Sequence, residues 1–371
     1  MTMDANKEPI ELARRDTESP RAEYLLRLPS RVAKPLCALL QDPRDEPILH
    51  LLCNQLLLVV PAATLLFTCT QSHWLGALYL ALNYALFLQR YMLTLHFTEH
   101  RGLFKREYGL LNAIIPYFLC NLYGVPCGFY NLHHVVMHHV EDNASPGDLS
   151  STETMQRDSL RHFARYWVRF WLGTWVELPL YALRKGRPRQ AAACVACATT
   201  YWAVLAALWR LNSVATLWAL VVPFFVSTFA LMFGNWSQHV FVDPDEPRNT
   251  YRSTYNCVAC SDNQRTYNDG YHIIHHLNSR LHWSELPRRF VDTLAAHDDN
   301  DALVFRGIGF FDVGLMVFTG QLDRLASYIV PCGPKQRARS REEWVALLRY
   351  RLQPARIKGA APAARLQAAA S

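Results

Sequence analysis

Residues 74 to 100 read WLGALYLALNYALFLQRYMLTLHFTEH, an apolar run from Trp74 to Leu95 that ends directly in His96-Phe-Thr-Glu-His100. At about 1.5 Å per residue such a run crosses roughly 30 Å of hydrocarbon, so a spanning helix is expected here. The i to i+4 spacing of His96 and His100 places both imidazoles on one face of the helix as it leaves the membrane. A span that delivers a histidine pair to one membrane face sets the fold class: helical, membrane-embedded and built to hold a metal.

Three further runs read the same way: Leu51 to Thr70, Ala191 to Trp209 and Ser213 to Gly234. The connections Gln71 to His73 and Arg210 to Asn212 are too short to hold a domain, so four spans in two hairpins are expected, both tight turns facing one side. Hydrophobic residues make up 51% of the 371 and charged residues 19%, and the apolar ones fall in blocks rather than at a helical period, which points to the bilayer. The charge of +7 is informative through its placement: Arg184, Lys185, Arg187 and Arg189 precede the third span, Arg101, Lys105 and Arg106 follow the second, and Lys335 to Lys358 is basic. By the positive-inside rule both termini are expected in the cytosol, with no call for a nucleic-acid partner. The first 48 residues carry no apolar core segment of a cleavable signal, and their acids argue against a transit peptide. Three parts are expected: a cytosolic arm over 1–48 with a short helix around Arg21 to Leu40, a membrane domain with a cytosolic histidine-rich helical cap over 49–330, and a basic tail over 331–371.

The charge-free stretch Gly109 to Asn131 is broken by Pro116, Gly124, Pro126 and Gly128 and is read as re-entrant or interfacial, because a crossing there would separate the histidine clusters. Phe163 to Leu183 and Ala302 to Gly320 read as interfacial helices or as packed helices of the cytosolic part. Cys257 and Cys260 form a lone CxxC, so a zinc ribbon is not expected.

Two more clusters complete the pattern: His133-His134-Val-Val-Met-His138-His139 and His272-Ile-Ile-His275-His276. Ten of the fifteen histidines lie in the three clusters or at His239. A single zinc takes at most about four ligands, so this many neutral imidazoles implies two ions. His282 reads as structural, and His50, His73, His162 and His297 have no clustered partners.

These motifs resemble the membrane-bound fatty acid desaturase and hydroxylase superfamily, whose boxes run HxxxH, HxxHH or HxxxHH, and HxxHH around four spans. Asn235-Trp-Ser-Gln-His239 looks like the extra Asn and His of acyl-CoA desaturases. Gly147-Asp-Leu-Ser-Ser151, Asn268-Asp-Gly-Tyr-His272 and Leu281-His-Trp-Ser-Glu-Leu-Pro287 also look like stretches flanking the second and third boxes. The resemblance, over Leu51 to Pro287, implies a di-iron pair held by His96, His100, His134, His138, His139, His239, His272, His275 and His276, with Asn235 holding a metal-bound water. His133 and Asp269 are expected behind the ligands, with Glu99, Glu141, Asp142 and Asp148 as further candidate acceptors for ring N–H groups.

The implied activity is an O2-dependent desaturation of a membrane lipid or acyl-CoA chain in the endoplasmic reticulum, for which iron suits and redox-inert zinc does not. No flavin or nicotinamide fingerprint and no fused haem domain is evident, so the electrons are expected from cytochrome b5 or ferredoxin with its reductase, docked on basic cytosolic patches. A hydroxylase or ketolase of the same superfamily and, from another class, a zinc-dependent membrane hydrolase stand as alternatives.

Overall fold

The computed structural model describes residues 7–17 and 24–356. The far N-terminal residues, the first residues of the expected helix at 21–40 and the end of the basic tail lie outside these; within that expected helix the chain forms Ser30–Cys37. The chain divides into two compact units. One, here the apolar unit, comprises Arg21–Met137 and Thr174–Ala230; the other, the polar unit, comprises Met1–Pro20, His138–Gly173 and Leu231–Ser371.

The apolar unit is built from long helices whose side chains leave little doubt about their solvent. Pro43–Cys69, Pro188–Leu211 and Ser213–Gln238, the last continuing into the polar unit, are long and apolar enough to cross a membrane. In Pro188–Leu211 only 17% of the most apolar window is buried, so the helix presents Val195, Trp202, Val204 and Trp209 outward, as lipid contact requires. The helical path from His73 to Arg101 is continuous but falls short of that composition, because Asn83, Gln89 and Arg90 interrupt the apolar run. Three of the four expected spans therefore have the length and apolarity of membrane helices.

Two of these helices widen into π turns at Gln55–Val59 and Leu217–Val221. Each contains the carbonyl four residues before a proline, Leu57 before Pro61 and Ala219 before Pro223. A proline has no N–H for that carbonyl and its ring crowds it, so the turn opens by one residue. Gly109 to Asn131 forms no long helix: short 3-10 and π turns run from Arg106 to Tyr123 and end at Gly124. Gly124 has φ +68, and a Cβ there would sit 2.2 Å from the backbone of Pro223, so only glycine fits the turn and the close approach. The segments around Thr70 and Asn212 are tied to each other: Asn212 Nδ2 donates to Thr70 O at 2.7 Å, and Trp218 Nε1 donates to His73 Nδ1 at 3.1 Å.

The polar unit packs around Trp236, Phe241, Tyr255, Phe305, Val313, Leu325 and Leu348, all fully buried. Among the described residues it departs from an all-helical expectation in a parallel strand pair, Asn256–Val258 with Val304–Arg306, in register Asn256 to Val304. Ala302 to Gly320 is therefore a strand followed by the helix Phe310–Phe318, which buries Phe310, Val313, Gly314 and Val317 in this core. Val304 and Phe305 are β-formers, and a short apolar run read without its partner strand does not reveal its period.

Candidate metal centre

Within the apolar unit, one ligand atom from each of His96, His100 and His134 lies within 4.8 Å of the others. His96 and His100 are held by the helix Gln89–Arg101 and His134 by the π turn Asn131–His138. The ring centroids of His96 are 5.2 Å from His100 and 4.5 Å from His134. Behind them the Nδ1 of His96 lies 3.2 Å from the hydroxyl of Tyr130. Asn131 Nδ2 donates to Glu99 Oε2 at 2.7 Å.

Within the polar unit, His138, His239 and His276 bring ligand atoms within 4.8 Å of one another. Each offers Nε2, because an oxygen that can only accept holds its Nδ1–H. His138 donates to Asp148 Oδ2 at 2.6 Å, His276 to Asp142 Oδ1 at 3.0 Å and His239 to the Ser253 carbonyl at 3.0 Å. This is the carboxylate–histidine or carbonyl–histidine arrangement that fixes the tautomer and orientation of a metal-binding ring. Asp148 is itself fixed, accepting from Ser150 N and Ser150 Oγ, both at 2.8 Å, on its other oxygen. Asp142 is aimed by a left-handed backbone, φ 50, just past the helical turn His139–Glu141.

Burial and the two carboxylates set the electrostatics of these rings. His239 is fully buried, and desolvation together with the neighbouring His276 and His138 holds its pKa down at about 3. Its Nε2 has no hydrogen-bond partner among the described residues. Burial works to raise the pKa of Asp142, but the hydrogen bond and charge of His276 outweigh it and lower it to about 2. For His138 burial lowers the pKa and the Asp148 carboxylate more than reverses it.

Two further pairs of ring nitrogens lie close together in the polar unit. His272 Nε2 lies 3.2 Å from His276 Nε2, and His139 Nε2 lies 3.1 Å from His275 Nε2. Nitrogens this close must share a proton or a cation, and two imidazoles each about 2.1 Å from one tetrahedral or octahedral ion stand about 3.0 to 3.4 Å apart. An orphaned buried lone pair, fixed tautomers and these spacings fit metal ions ligated by imidazole.

The expected histidines lie close to one another in these groups, but the grouping departs from their spacing. His134 and His138, four apart, belong to different sets, and in the third cluster His276 meets His272 while His275 meets His139. The π turn over Asn131–His138 removes the α-helical stacking that the spacing assumes. Asn235 donates its amide nitrogen to Tyr166 Oη at 2.7 Å and to Ser150 O at 3.1 Å. Asp269 accepts from Gln238 Nε2 at 3.0 Å and stands 3.9 Å from His272 Nδ1, its pKa pushed up to about 7 by burial. His133 is buried. His282 caps the turn Trp283–Glu285, accepting from Ser284 N at 3.1 Å, and His297 bridges Thr293 O and Asn256 Nδ2, which are structural roles.

Sequence reading missed Ser253, whose contribution is a main-chain carbonyl, and Arg157. The latter is fully buried and donates to the carbonyls of Val240 and Val242, at 3.0 and 2.9 Å, which secures the chain just after His239. Burial lowers its pKa to about 9. Nothing in the sequence around Arg157 marks it out.

The model of the family described as fatty acid desaturase matches residues 72–305, a stretch that contains every histidine of both sets. No curated protein and no solved structure matches the chain.

Proposed function

We propose, from the premise that this chain belongs to the fatty acid desaturase family, that it is an O2-dependent lipid acyl desaturase with two histidine-bound iron ions. The observation that carries the reading is the convergence of His138, His239 and His276, each with Nδ1–H held by an acceptor and Nε2 left for a metal. The second ion is assigned to the set His96, His100 and His134, and His139, His272 and His275 complete the ligands. Asn235 is assigned the positioning of a metal-bound water.

When bound, the iron pair supplies the oxidising power needed to take hydrogen from an unactivated methylene. The overall change is R–CH2–CH2–R′ + O2 + 2e⁻ + 2H⁺ → R–CH=CH–R′ + 2H2O, the electrons coming from an external cytochrome b5 or ferredoxin with its reductase. The protein's own part is positional. Asp148 and Asp142 hold their imidazoles as Nδ1–H tautomers and compensate the charge of a bound cation, while burial of His138, His239 and His272 excludes water from the donors.

The arrangement in the membrane is likewise part of the proposal: four spans in two hairpins, His73–Arg101 forming the second span, with termini and histidines on the cytosolic side of the endoplasmic reticulum. The basic segments that flank the spans support that orientation and would dock an acidic electron carrier.

The test is a fatty acid methyl ester profile of desaturase-deficient yeast expressing the wild type or His276→Ala. A new unsaturated species formed by the wild type alone is expected. A hydroxylated or oxo product in its place would move the assignment to a hydroxylase or ketolase, and identical profiles from both proteins would refute it.

A further inference from the structure

We propose that the N-terminal helix Lys7–Thr17 is a positioning element for the third histidine cluster, acting through Asp16. The inference rests on the metal-binding reading of that cluster and goes beyond it to a segment more than 240 residues away in sequence, where Asp16 accepts from Ala259 N at |i−j| = 243.

The helix turns Pro9, Leu12, Ala13 and Asp16 inward, and Asp16 is only 4% exposed. A carboxylate buried on an otherwise apolar face is costly unless its oxygens are satisfied. Here one oxygen, Oδ2, receives three donors: Ala259 N at 2.7 Å, Tyr271 Oη at 2.8 Å and Asn263 Nδ2 at 3.0 Å. All three come from the segment 259–271, whose next residue is His272.

That segment is one that needs holding. Ala259, Tyr267 and Asn268 have φ of 49, 54 and 59, the left-handed region that side-chain-bearing residues rarely adopt and that persists at Ala and Tyr only where surrounding contacts over-determine it. Asp16 grips both of its ends. Asn263 passes the constraint on, since its Oδ1 accepts from Gly270 N at 3.1 Å and its Nδ2 also donates to Cys257 O at 3.0 Å. A Cβ at Gly270 would lie 2.3 Å from both Asn263 Oδ1 and Cys257 O, so this join has no slack. Tyr271, whose phenol is held by Asp16, accepts from His275 N at 3.0 Å through its carbonyl and so carries the first turn of the helix His272–Leu277. A chain of contacts thus runs from a helix that holds none of the histidines to the backbone that presents three of them.

The experiment is a Co(II) titration of the full-length, metal-stripped protein in detergent. Cobalt d–d absorption reports the number and geometry of imidazole donors, and the thermal unfolding midpoint is followed in parallel. Wild type, Asp16→Ala, Asp16→Asn and Glu8→Gln are compared; Glu8 pairs with Arg306 on the exposed side of the same helix and is the control. Wild type and Glu8→Gln are expected to bind two ions alike. Asp16→Ala is expected to weaken one of the two by about 10-fold or more and to shift its absorption bands, leaving the other unchanged. Asp16→Asn, which keeps the volume but replaces the charged acceptor of three hydrogen bonds by a weaker neutral one, is expected to show the same split to a smaller degree, and it decides the matter if Asp16→Ala does not fold. Wild-type affinity and bands in both Asp16 variants, with only a lower unfolding midpoint, would make the helix a mere packing element and overturn the proposal. Failure of the wild type itself to bind two ions would instead overturn the metal reading on which the proposal stands.

Discussion

His96 of the apolar unit and the rings of His138, His239 and His276 in the polar unit differ in a group that stands behind them. In the polar unit His138 and His276 lean on carboxylates, Asp148 and Asp142, and His239 on a carbonyl. In the apolar unit His96 leans on the neutral phenol of Tyr130, and the nearby Glu99 is engaged by Asn131. A carboxylate behind an imidazole raises its basicity and compensates the charge of a cation; a phenol does the first weakly and the second not at all. Loss of the group behind the ring is therefore predicted to cost more at His138 and His276 than at His96.

The largest expected effects would break the comparison by removing ligands. His239→Ala, His276→Ala or His96→Ala should each lower desaturation by at least about a hundredfold, at or beyond what the loss of a ring's supporting partner costs, in a lipid profile at matched membrane protein levels. Comparable activity from any of them would remove that residue from the site.

Replacing the groups behind the rings should sharpen the contrast. Asp148→Asn is expected to lower metal affinity by about 10- to 100-fold, because it exchanges an accepting carboxylate for a neutral amide. Tyr130→Phe removes one neutral hydrogen bond of about 1 kcal/mol and should cost about fivefold or less. Competition with a chelator on purified protein measures both, and equal losses would erase the distinction.

Acid should act through the polar unit. The folded pKa of His239, about 3, lies below its ordinary value of 6.5, so in metal-free protein the unfolded chain binds the proton more readily. The resulting stability is complete above about pH 6.5 and is lost as pH falls from there toward about 3. The unfolding midpoint of the stripped protein should drop between about pH 7 and about pH 5. His239→Gln should flatten that slope, and an unchanged slope in the variant would show that another group carries it. Smallest of all, His282→Asn should leave metal content intact and shift stability by about 1 kcal/mol, the worth of a cap.

Much of this was legible in the chain because its informative features are local. Spacing marked the histidines, apolar length marked the spans, and Asp142 and Asp148 stood close enough to the second cluster to be named. What stayed hidden depends on long-range contact or on backbone. The partition of His134 and His138 into separate sets follows from a π turn that residue spacing does not disclose. Ser253 acts through a carbonyl, which every residue has. Asp16 reads as an ordinary acid in a polar arm until the fold brings Tyr271 to it. Val304 to Arg306 reads as helix until its partner strand is beside it. The helical path His73–Arg101 carries Asn83, which accepts from Tyr123 Oη at 2.6 Å, and the sequence cannot show that this polar residue has a buried partner.

The most direct test is the metal content of the full-length protein purified from iron-replete cells, measured by inductively coupled plasma mass spectrometry beside His239→Ala. Two irons per chain in the wild type, with the variant losing at least one, is the predicted result; zinc at full occupancy without iron, or a wild type and variant with the same content, would contradict the account.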